Sequence, residues 1–228
     1  MIISVSRRTD IPAFYAEWFY NRLSAGYVLV RNPMNVHSVS KVALSPDVVD
    51  AFVFWTKNPL PLMKRLDELA EYPYYFQFTL TGYGKDIEPG LPDKKQVLLP
   101  AFKELAAKIG RQRVIWRYDP IFFSSRYSAE YHLQCFEALA AELSGSTERC
   151  VISFMDEYRN TKRNAQKLGA VNYSSEEFYA FAARLAKIAD KYGLKLQTCA
   201  ETADFTELGI TASACIDKDL IAVSYTHL

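Results

Sequence analysis

The sequence lacks several features that would assign a function at once. No GxGxxG motif or phosphate-binding P-loop follows a predicted strand, which argues against dinucleotide and ATP sites of those types. The four cysteines have no CxxC spacing and the three histidines are scattered. This distribution disfavours both a disulfide framework and a complete Cys/His metal site. We therefore expect reduced thiols in a cytoplasmic protein.

Charge of one sign and long apolar runs are also missing. Lys and Arg total 27 against 26 Asp and Glu, a formal net charge of +1. That balance does not support long-range attraction to nucleic acid or to a membrane surface. No apolar run approaches the roughly 20 residues of a membrane span, and the N-terminus shows no charged leader before an apolar segment. We expect no membrane partner, and the sequence does not specify the oligomeric state.

What the chain does have is a set of apolar, strand-like runs that end in charged residues. A strand that is apolar on both faces is buried, so charge at its C-terminal end lies at one edge of a sheet or barrel. In βα folds that edge holds the ligand site. The runs are SVSRRTD (4–10), FVFWTKN (52–58), VIWRYDP (114–120), VISFMDEYR (151–159) and LKLQTCAE (194–201).

The order of elements predicts an α/β fold. Seven or eight strands alternate mostly with helices, without a linker or an internal repeat. Right-handed crossovers make the neighbouring strands parallel, which favours a (βα) barrel, complete or partial and TIM-barrel-like. An open doubly wound sheet is the alternative. We assign residues 1–221 to a single barrel-like domain and interpret 222–228 as a non-native tail.

Several local signals give testable element boundaries. Asp10 is placed to cap a helix, and Ser174 with Glu177 has the spacing of a capping box. A single helix is predicted over 60–72 and a polar one over 160–168. Pro120 is expected to end the strand over 113–118, because proline cannot donate to a sheet.

The WRYDP segment offers a cation and a carboxylate together. Side chains two apart on a strand share a face, so Arg117 and Asp119 point the same way. The alternative is a self-satisfying ion pair, since buried charges are normally paired. In WTKNP, Lys57 follows a strand, where a lysine can bind an anion or act as a base if desolvated. Its alternative is an ordinary solvated lysine.

The remaining candidates lie at other strand ends. Glu201 would share a face with Cys199 if that strand persists, and a glutamate there is a plausible general base. Arg7 and Arg8 point to opposite faces, so one of them is expected to reach the interior. The catalytic candidates are Lys57, Asp119 and Glu201. The substrate- or cofactor-binding candidates are Arg7, Arg8, Asn58, Arg117 and Cys199.

No metal ligand is assigned. The recurrence of cations at strand ends indicates a small anionic ligand, such as a carboxylate, a phosphate or a nucleotide-like substrate.

Five motifs together resemble one bacterial and archaeal family, domain of unknown function eighteen-forty-eight. They are SVSRRTDIPAFY, FWTKNP, YYFQFTLTGYG, RVIWRYDPI and the late CAE…CID stretch, and the resemblance covers 2–221. Members usually continue into a CxxxCxxC segment similar to that of radical S-adenosylmethionine enzymes. Three such thiolates hold a [4Fe–4S] cluster that binds the cofactor. The ends TKNP and RYDPI also look like those of spore photoproduct lyase. The resemblance therefore implies a radical-type barrel.

This chain departs from that pattern at its C-terminal end. After ACIDKDLI it reads AVSYTHL, without CxxxCxxC, so we interpret it as truncated and expect it to bind no cluster. A full-length member would carry [4Fe–4S] and S-adenosylmethionine. Two alternatives need no metal. One is a hydrolase or lyase with Glu201 or Asp119 as base and an anion stabilised by Arg117 or Lys57. The other is a non-catalytic barrel that binds an anion.

Overall fold

A computed structural model describes residues 1–6, 8–155, 168–171, 173–199, 201 and 203–225. For residues 223–225 it describes the backbone only. The chain divides into two compact units. The first unit holds Met1–Phe78 together with the C-terminal segment from Lys218, and the second holds Thr79–Asp217. No helix in the described ranges is both long and apolar enough to cross a membrane.

The first unit is built around three parallel strands in the order β1-β4-β5. An antiparallel hairpin, β2 with β3, follows the first helices. The elements up to the second unit are β1 (Ile2–Ser4), α1 (Ile11–Phe14), α2 (Ala16–Ser24), β2 (Tyr27–Asn32), β3 (Asn35–Ala43), β4 (Ala51–Thr56), α3 (Leu60–Met63) and β5 (Tyr74–Thr79).

Aromatic packing explains why β4 is buried on both faces. Phe52 and Phe54 meet the ring of Phe19 from α2 edge to face, at centroid distances of 5.5 and 5.4 Å. Phe54 also stacks on Phe76 of β5 at 4.8 Å, in agreement with their pairing in the strand register. The continuous apolar run of β4 is typical of a covered parallel strand. Its first polar side chains therefore appear only at its carboxyl end.

The second unit contains four parallel strands in the order β6-β8-β10-β11. This unit also contains a short antiparallel strand pair, β7 with β9. The elements are α4 (Leu99–Ile109), β6 (Val114–Ile121), β7 (Phe123–Ser124), α5 (Ala129–Leu143), β8 (Arg149–Phe154), β9 (Ala170–Val171), α6 (Ser175–Lys191), β10 (Lys195–Thr198) and β11 (Thr211–Ala212), after which α7 (Lys218–Tyr225) belongs to the first unit.

One face of β6 packs against α5, and the other face carries charged side chains. Trp116 stacks on Phe136 of α5 at 4.8 Å, and Tyr118 meets the same ring edge to face at 5.4 Å. Both strand residues are buried. Because side chains alternate along a strand, Arg117 and Asp119 project from the opposite face. Burial of one face against α5 thus fixes where the two charged side chains point.

His132 of α5 is fully buried in this packing. Its Nε2 lies 3.0 Å from the carbonyl oxygen of Phe122, and its Nδ1 lies 2.9 Å from the Tyr118 hydroxyl. A carbonyl can only accept, so Nε2 carries the proton and neutral Nδ1 accepts from Tyr118. Burial lowers the pKa of His132, although its hydrogen bond to Phe122 opposes the shift.

We expect this histidine to make the protein less stable in mild acid. The unfolded chain takes up a proton near the ordinary pKa of 6.5, whereas the folded chain takes it up only at lower pH. Stability is therefore lost as the pH falls below about 6.5. Urea unfolding between about pH 7 and pH 5 should show a smaller loss for His132→Gln than for wild type. The exposed His37→Gln is the control, and an unchanged loss in His132→Gln would refute this assignment.

The α/β class is confirmed by seven strands in parallel pairings, with helices between them. The Asp10 cap and the Ser174/Glu177 capping box are also confirmed. Barrel closure and the single domain over 1–221 stay predictions. Most of the helix predicted over 160–168 lies outside the described residues.

Two boundary predictions were wrong. The predicted helix over 60–72 is broken after α3, because Arg65 leaves the helical conformation and its side chain binds Glu17 and Glu68. Strand β6 continues through Pro120 to Ile121, where the register shifts, and proline is tolerated at such an irregularity. Strand β10 ends at Thr198, so Cys199 lies just beyond it.

Candidate ligand site

A buried ion pair lies at the carboxyl end of β6. Arg117 Nε donates to both carboxylate oxygens of Asp119 at 3.1 Å, and Nη2 donates to Oδ2 at 2.6 Å. Their side chains are only 9% and 15% exposed. Burial by itself would lower the pKa of Arg117, but the hydrogen bonds and charge of Asp119 outweigh it and raise that pKa. The guanidinium is therefore a fixed cation at a strand end.

The neighbouring strand β8 adds a hydroxyl and a backbone donor. Ser153 Oγ lies 3.5 Å from Asp119 Oδ2 and is placed to donate to it. One residue later, the backbone N–H of Phe154 donates to Glu201 Oε1 at 2.7 Å. This bond ties the segment after β10 to the carboxyl end of β8. Asp119, Ser153 and Glu201 are thus brought to the ends of adjacent strands.

Two thiols complete this group. The Sγ atoms of Cys199 and Cys215 are 3.5 Å apart. Interaction with the Cys199 side chain also contributes to the raised pKa of Arg117. Cys199 is buried and Cys215 is exposed. The hydrogen bond with Cys199, followed by burial, raises the pKa of the Cys215 thiol, while the charge of Arg117 opposes that shift. We call Arg117, Asp119, Ser153, Cys199 and Glu201 the ligand site, with Cys215 at its margin.

In the first unit, Asp10 organises the carboxyl end of β4. Its Oδ1 accepts from the Ala13 backbone at 3.0 Å, which caps α1. Its Oδ2 accepts from Thr56 Oγ1 at 3.0 Å and from the Lys57 backbone at 2.8 Å. Burial raises the pKa of Asp10 in spite of these bonds. Asp10 therefore holds the segment that carries Lys57 and has a structural role here.

The other candidates of the first unit are placed as follows. Asn58 donates its backbone N–H to Thr56 Oγ1 at 2.9 Å and accepts from Leu60 at 3.3 Å, so it shapes the turn into α3. Arg8 is exposed and donates from Nη2 to the Arg31 carbonyl at 3.0 Å, beside a cleft of about 550 Å³. Arg7 lies outside the described residues.

The structure thus brings together Arg117, Asp119, Cys199 and Glu201 of the predicted set. Sequence reasoning missed Ser153 and Cys215 as members of this group. Ser153 follows from the register, since Val151 pairs with Arg117 and a residue two positions later lies level with Asp119. Cys215 is placed by the pairing of β10 with β11. Because β11 has only two residues, the sequence gives little indication of that strand.

A family model described as Domain of unknown function (DUF1848) matches residues 2–227. The chain belongs to this family. The match confirms the resemblance found in the motifs. It also includes most of the segment 222–228 that we interpreted as a non-native tail, so the interpretation of the chain as truncated has no support from the family match. No curated protein matches the chain. The family description names no activity, so the radical S-adenosylmethionine prediction has no support from it and the functional argument rests on the site.

The described side chains do not fit an iron–sulfur cluster. Within those ranges, no three His, Cys, Asp or Glu side chains form a metal-binding group. A [4Fe–4S] cluster needs three or four thiolates, whereas only Cys199 and Cys215 are in contact. Cys150 is fully buried in β8, and burial raises its pKa well above the ordinary value.

Proposed function

We propose that the protein is an enzyme that binds a small hydroxylated organic anion at the ligand site and acts on it by acid–base chemistry. The observation that carries this proposal is the buried, doubly hydrogen-bonded Arg117–Asp119 pair at a strand end. A buried ion pair is no better for stability than a well-packed apolar pair. Its position at the carboxyl ends of parallel strands, where βα folds bind ligands, favours a ligand-binding purpose.

Arg117 supplies the anion contact in this proposal. A guanidinium has five N–H donors, and its planar fork matches a carboxylate or phosphate. Asp119 engages Nε and Nη2 and holds the plane in one orientation. Because Asp119 also neutralises the formal charge, we expect the ligand to be recognised through directed hydrogen bonds. Ligand hydroxyls are favoured because carboxylates of Asp119 and Glu201 can accept from them.

Glu201 is the better candidate for the base. Both oxygens of Asp119 accept from Arg117, which suits Asp119 to a positioning role. Glu201 is half-buried and is anchored through Oε1 to the Phe154 backbone. An oriented carboxylate within reach of a substrate proton is the requirement for general base catalysis. Closure of a (βα) barrel stays a separate proposal, and so do functional roles for Lys57, Arg8 and Asn58 within the first unit.

Ligand-dependent stabilisation of the whole chain tests the binding step. We expect a saturable rise in Tm with at least one member of a panel of inorganic phosphate, glycerol phosphate, ribose phosphate, malate and citrate. Arg117→Lys keeps the positive charge but loses the planar set of guanidinium donors. The affinity of the variant for the anion should therefore fall by about 10-fold to 100-fold, the equivalent of one charge-assisted hydrogen bond. Arg111→Lys is the control, because Arg111 is an exposed arginine paired with Glu148.

Turnover separates an enzyme from a binding barrel. We expect Glu201→Gln to retain the ligand-dependent rise in Tm and to lose product formation from the same ligand. Binding without turnover in the wild type would favour the non-catalytic anion-binding barrel. No response to any panel member, or an equal response in Arg117→Lys and wild type, would contradict the proposed site.

Three further expectations stay proposals. Family members that carry CxxxCxxC would be radical S-adenosylmethionine enzymes, an inference supported only by the motif resemblance. A nucleotide-like ligand falls within the class of hydroxylated anions proposed here. A cytoplasmic location is the third proposal, and it rests on the cysteine pattern, which disfavours a disulfide framework.

A further inference from the structure

The two thiols beside Arg117 are held together by strand pairing. Thr198, the last residue of β10, pairs with Ala212 of β11. Beyond that pair, the backbone N–H of Ser213 donates to the Thr198 carbonyl at 2.7 Å. Cys199 and Cys215 follow directly from these paired segments, and their Sγ atoms lie 3.5 Å apart. The contact between the thiols therefore results from the register of the sheet.

The separation is close to what a disulfide requires. An S–S bond is about 2.05 Å long, so the sulfur atoms must approach each other by roughly 1.5 Å. The two thiols also differ in access: Cys215 is exposed, whereas Cys199 is only 7% exposed. One thiol can thus meet an external reagent while the other can resolve the adduct.

We propose that Cys199 and Cys215 are a redox-active dithiol that closes to a reversible disulfide by exchange with a low-molecular-weight disulfide. The proposal goes beyond ligand binding and does not depend on which anion the site takes. The other two cysteines do not share this arrangement. Cys150 is fully buried in β8, and Cys135 lies on α5 next to Gly82.

The exchange proceeds in two balanced steps. The Cys215 thiolate attacks one sulfur of the external disulfide RSSR, forming Cys215–S–S–R and releasing RS⁻, which takes up a proton. The Cys199 thiolate then attacks the Cys215 sulfur and displaces the second RS⁻, which is protonated in turn. Two protein thiols are oxidised to one disulfide, and RSSR is reduced to two RSH.

Peptide mapping of the full chain tests the pairing. The folded protein is incubated with oxidised glutathione, its remaining thiols are blocked by alkylation, and it is cleaved after glutamate. Cleavage after Glu177, Glu201 and Glu207 places Cys199 in the peptide 178–201 and Cys215 in 208–228. We expect these two peptides to be joined, at a mass two hydrogens below their sum, and the number of free thiols to fall from four to two. Dithiothreitol should restore all four.

Single substitutions separate the two steps. Cys199→Ser should stop at one glutathione adduct on Cys215, because the resolving thiol is missing. Cys215→Ser should acquire far less adduct, since Cys199 is buried. Cys135→Ser, the control, should close like the wild type. The proposal is overturned if both peptides are recovered alkylated after oxidation, if Cys135 or Cys150 is part of the linked product, or if the only disulfide joins Cys215 residues of two chains.

Discussion

Replacing Asp119 by alanine should lower the free energy of unfolding by about 3–5 kcal/mol, the range found when one partner of a buried ion pair is removed. The substitution leaves the guanidinium of Arg117 at 9% exposure without its bidentate acceptor. Desolvation of the cation is then no longer offset by Asp119. Urea unfolding of wild type and Asp119→Ala at neutral pH measures the difference.

The matched control is Glu148→Ala. Glu148 forms an ion pair with Arg111 at 3.0 Å, but the Arg111 side chain is 57% exposed and the Glu148 side chain is 37% exposed. Exposed pairs contribute about 0–1 kcal/mol, so this variant should be nearly neutral. Equal losses in the two variants would mean that the Arg117–Asp119 pair is not buried in solution as described.

A double substitution separates stability from function. In Arg117→Met/Asp119→Leu, both charges are replaced by apolar side chains, and such replacements are often neutral or stabilising. We expect this variant to recover most of the stability lost in Asp119→Ala and to show no ligand-dependent rise in Tm. A folded double variant that still responds to the ligand would place the anion contact elsewhere.

Trp116→Ala should have a comparable effect through the opposite face of β6. Trp116 is fully buried, stacks on Phe136 at 4.8 Å and donates from Nε1 to the Leu80 carbonyl at 2.9 Å. Truncation leaves a cavity and removes a donor from a buried carbonyl, so the free energy of unfolding should fall by about 3–5 kcal/mol.

Trp18→Ala is the control for the tryptophan substitution, because Trp18 is 45% exposed on α2. We expect its effect to lie within about 1 kcal/mol of zero. Denaturant midpoints with equal m-values compare the two variants. A small effect of Trp116→Ala would contradict the packing of β6 against α5, which fixes the direction of Arg117 and Asp119.

Local patterns in the sequence predicted those parts of the site that lie within one strand. The two-residue period of β6 places Arg117 and Asp119 on one face, and their pairing needed no knowledge of other strands. The Asp10 cap and the Ser174/Glu177 capping box are likewise local. Such features depend on neighbouring residues only, and short-range rules are sufficient for them.

Contacts between different strands could not be predicted from such local sequence patterns. Ser153 reaches Asp119 because Val151 pairs with Arg117, and that register is a tertiary property. Cys215 meets Cys199 through β11, which has two residues and no distinctive alternation. The break at Arg65 has a related origin, since Arg65 forms an ion pair with Glu17 of α2, which is distant in the sequence. Long-range pairing decided each of these positions.

The most direct test of the account follows the Arg117 side chain itself during ligand binding. In wild-type protein with ¹⁵N-labelled arginine, the Nε–Hε resonance of Arg117 is assigned by its absence in Arg117→Lys, and the sample is titrated with the panel ligand that raises Tm. We predict that this resonance shifts with saturation at the same Kd as the thermal response, while that of Arg111 stays unchanged. A saturable thermal response with no shift of the Arg117 resonance would contradict the account, because the bound anion would then not contact this site.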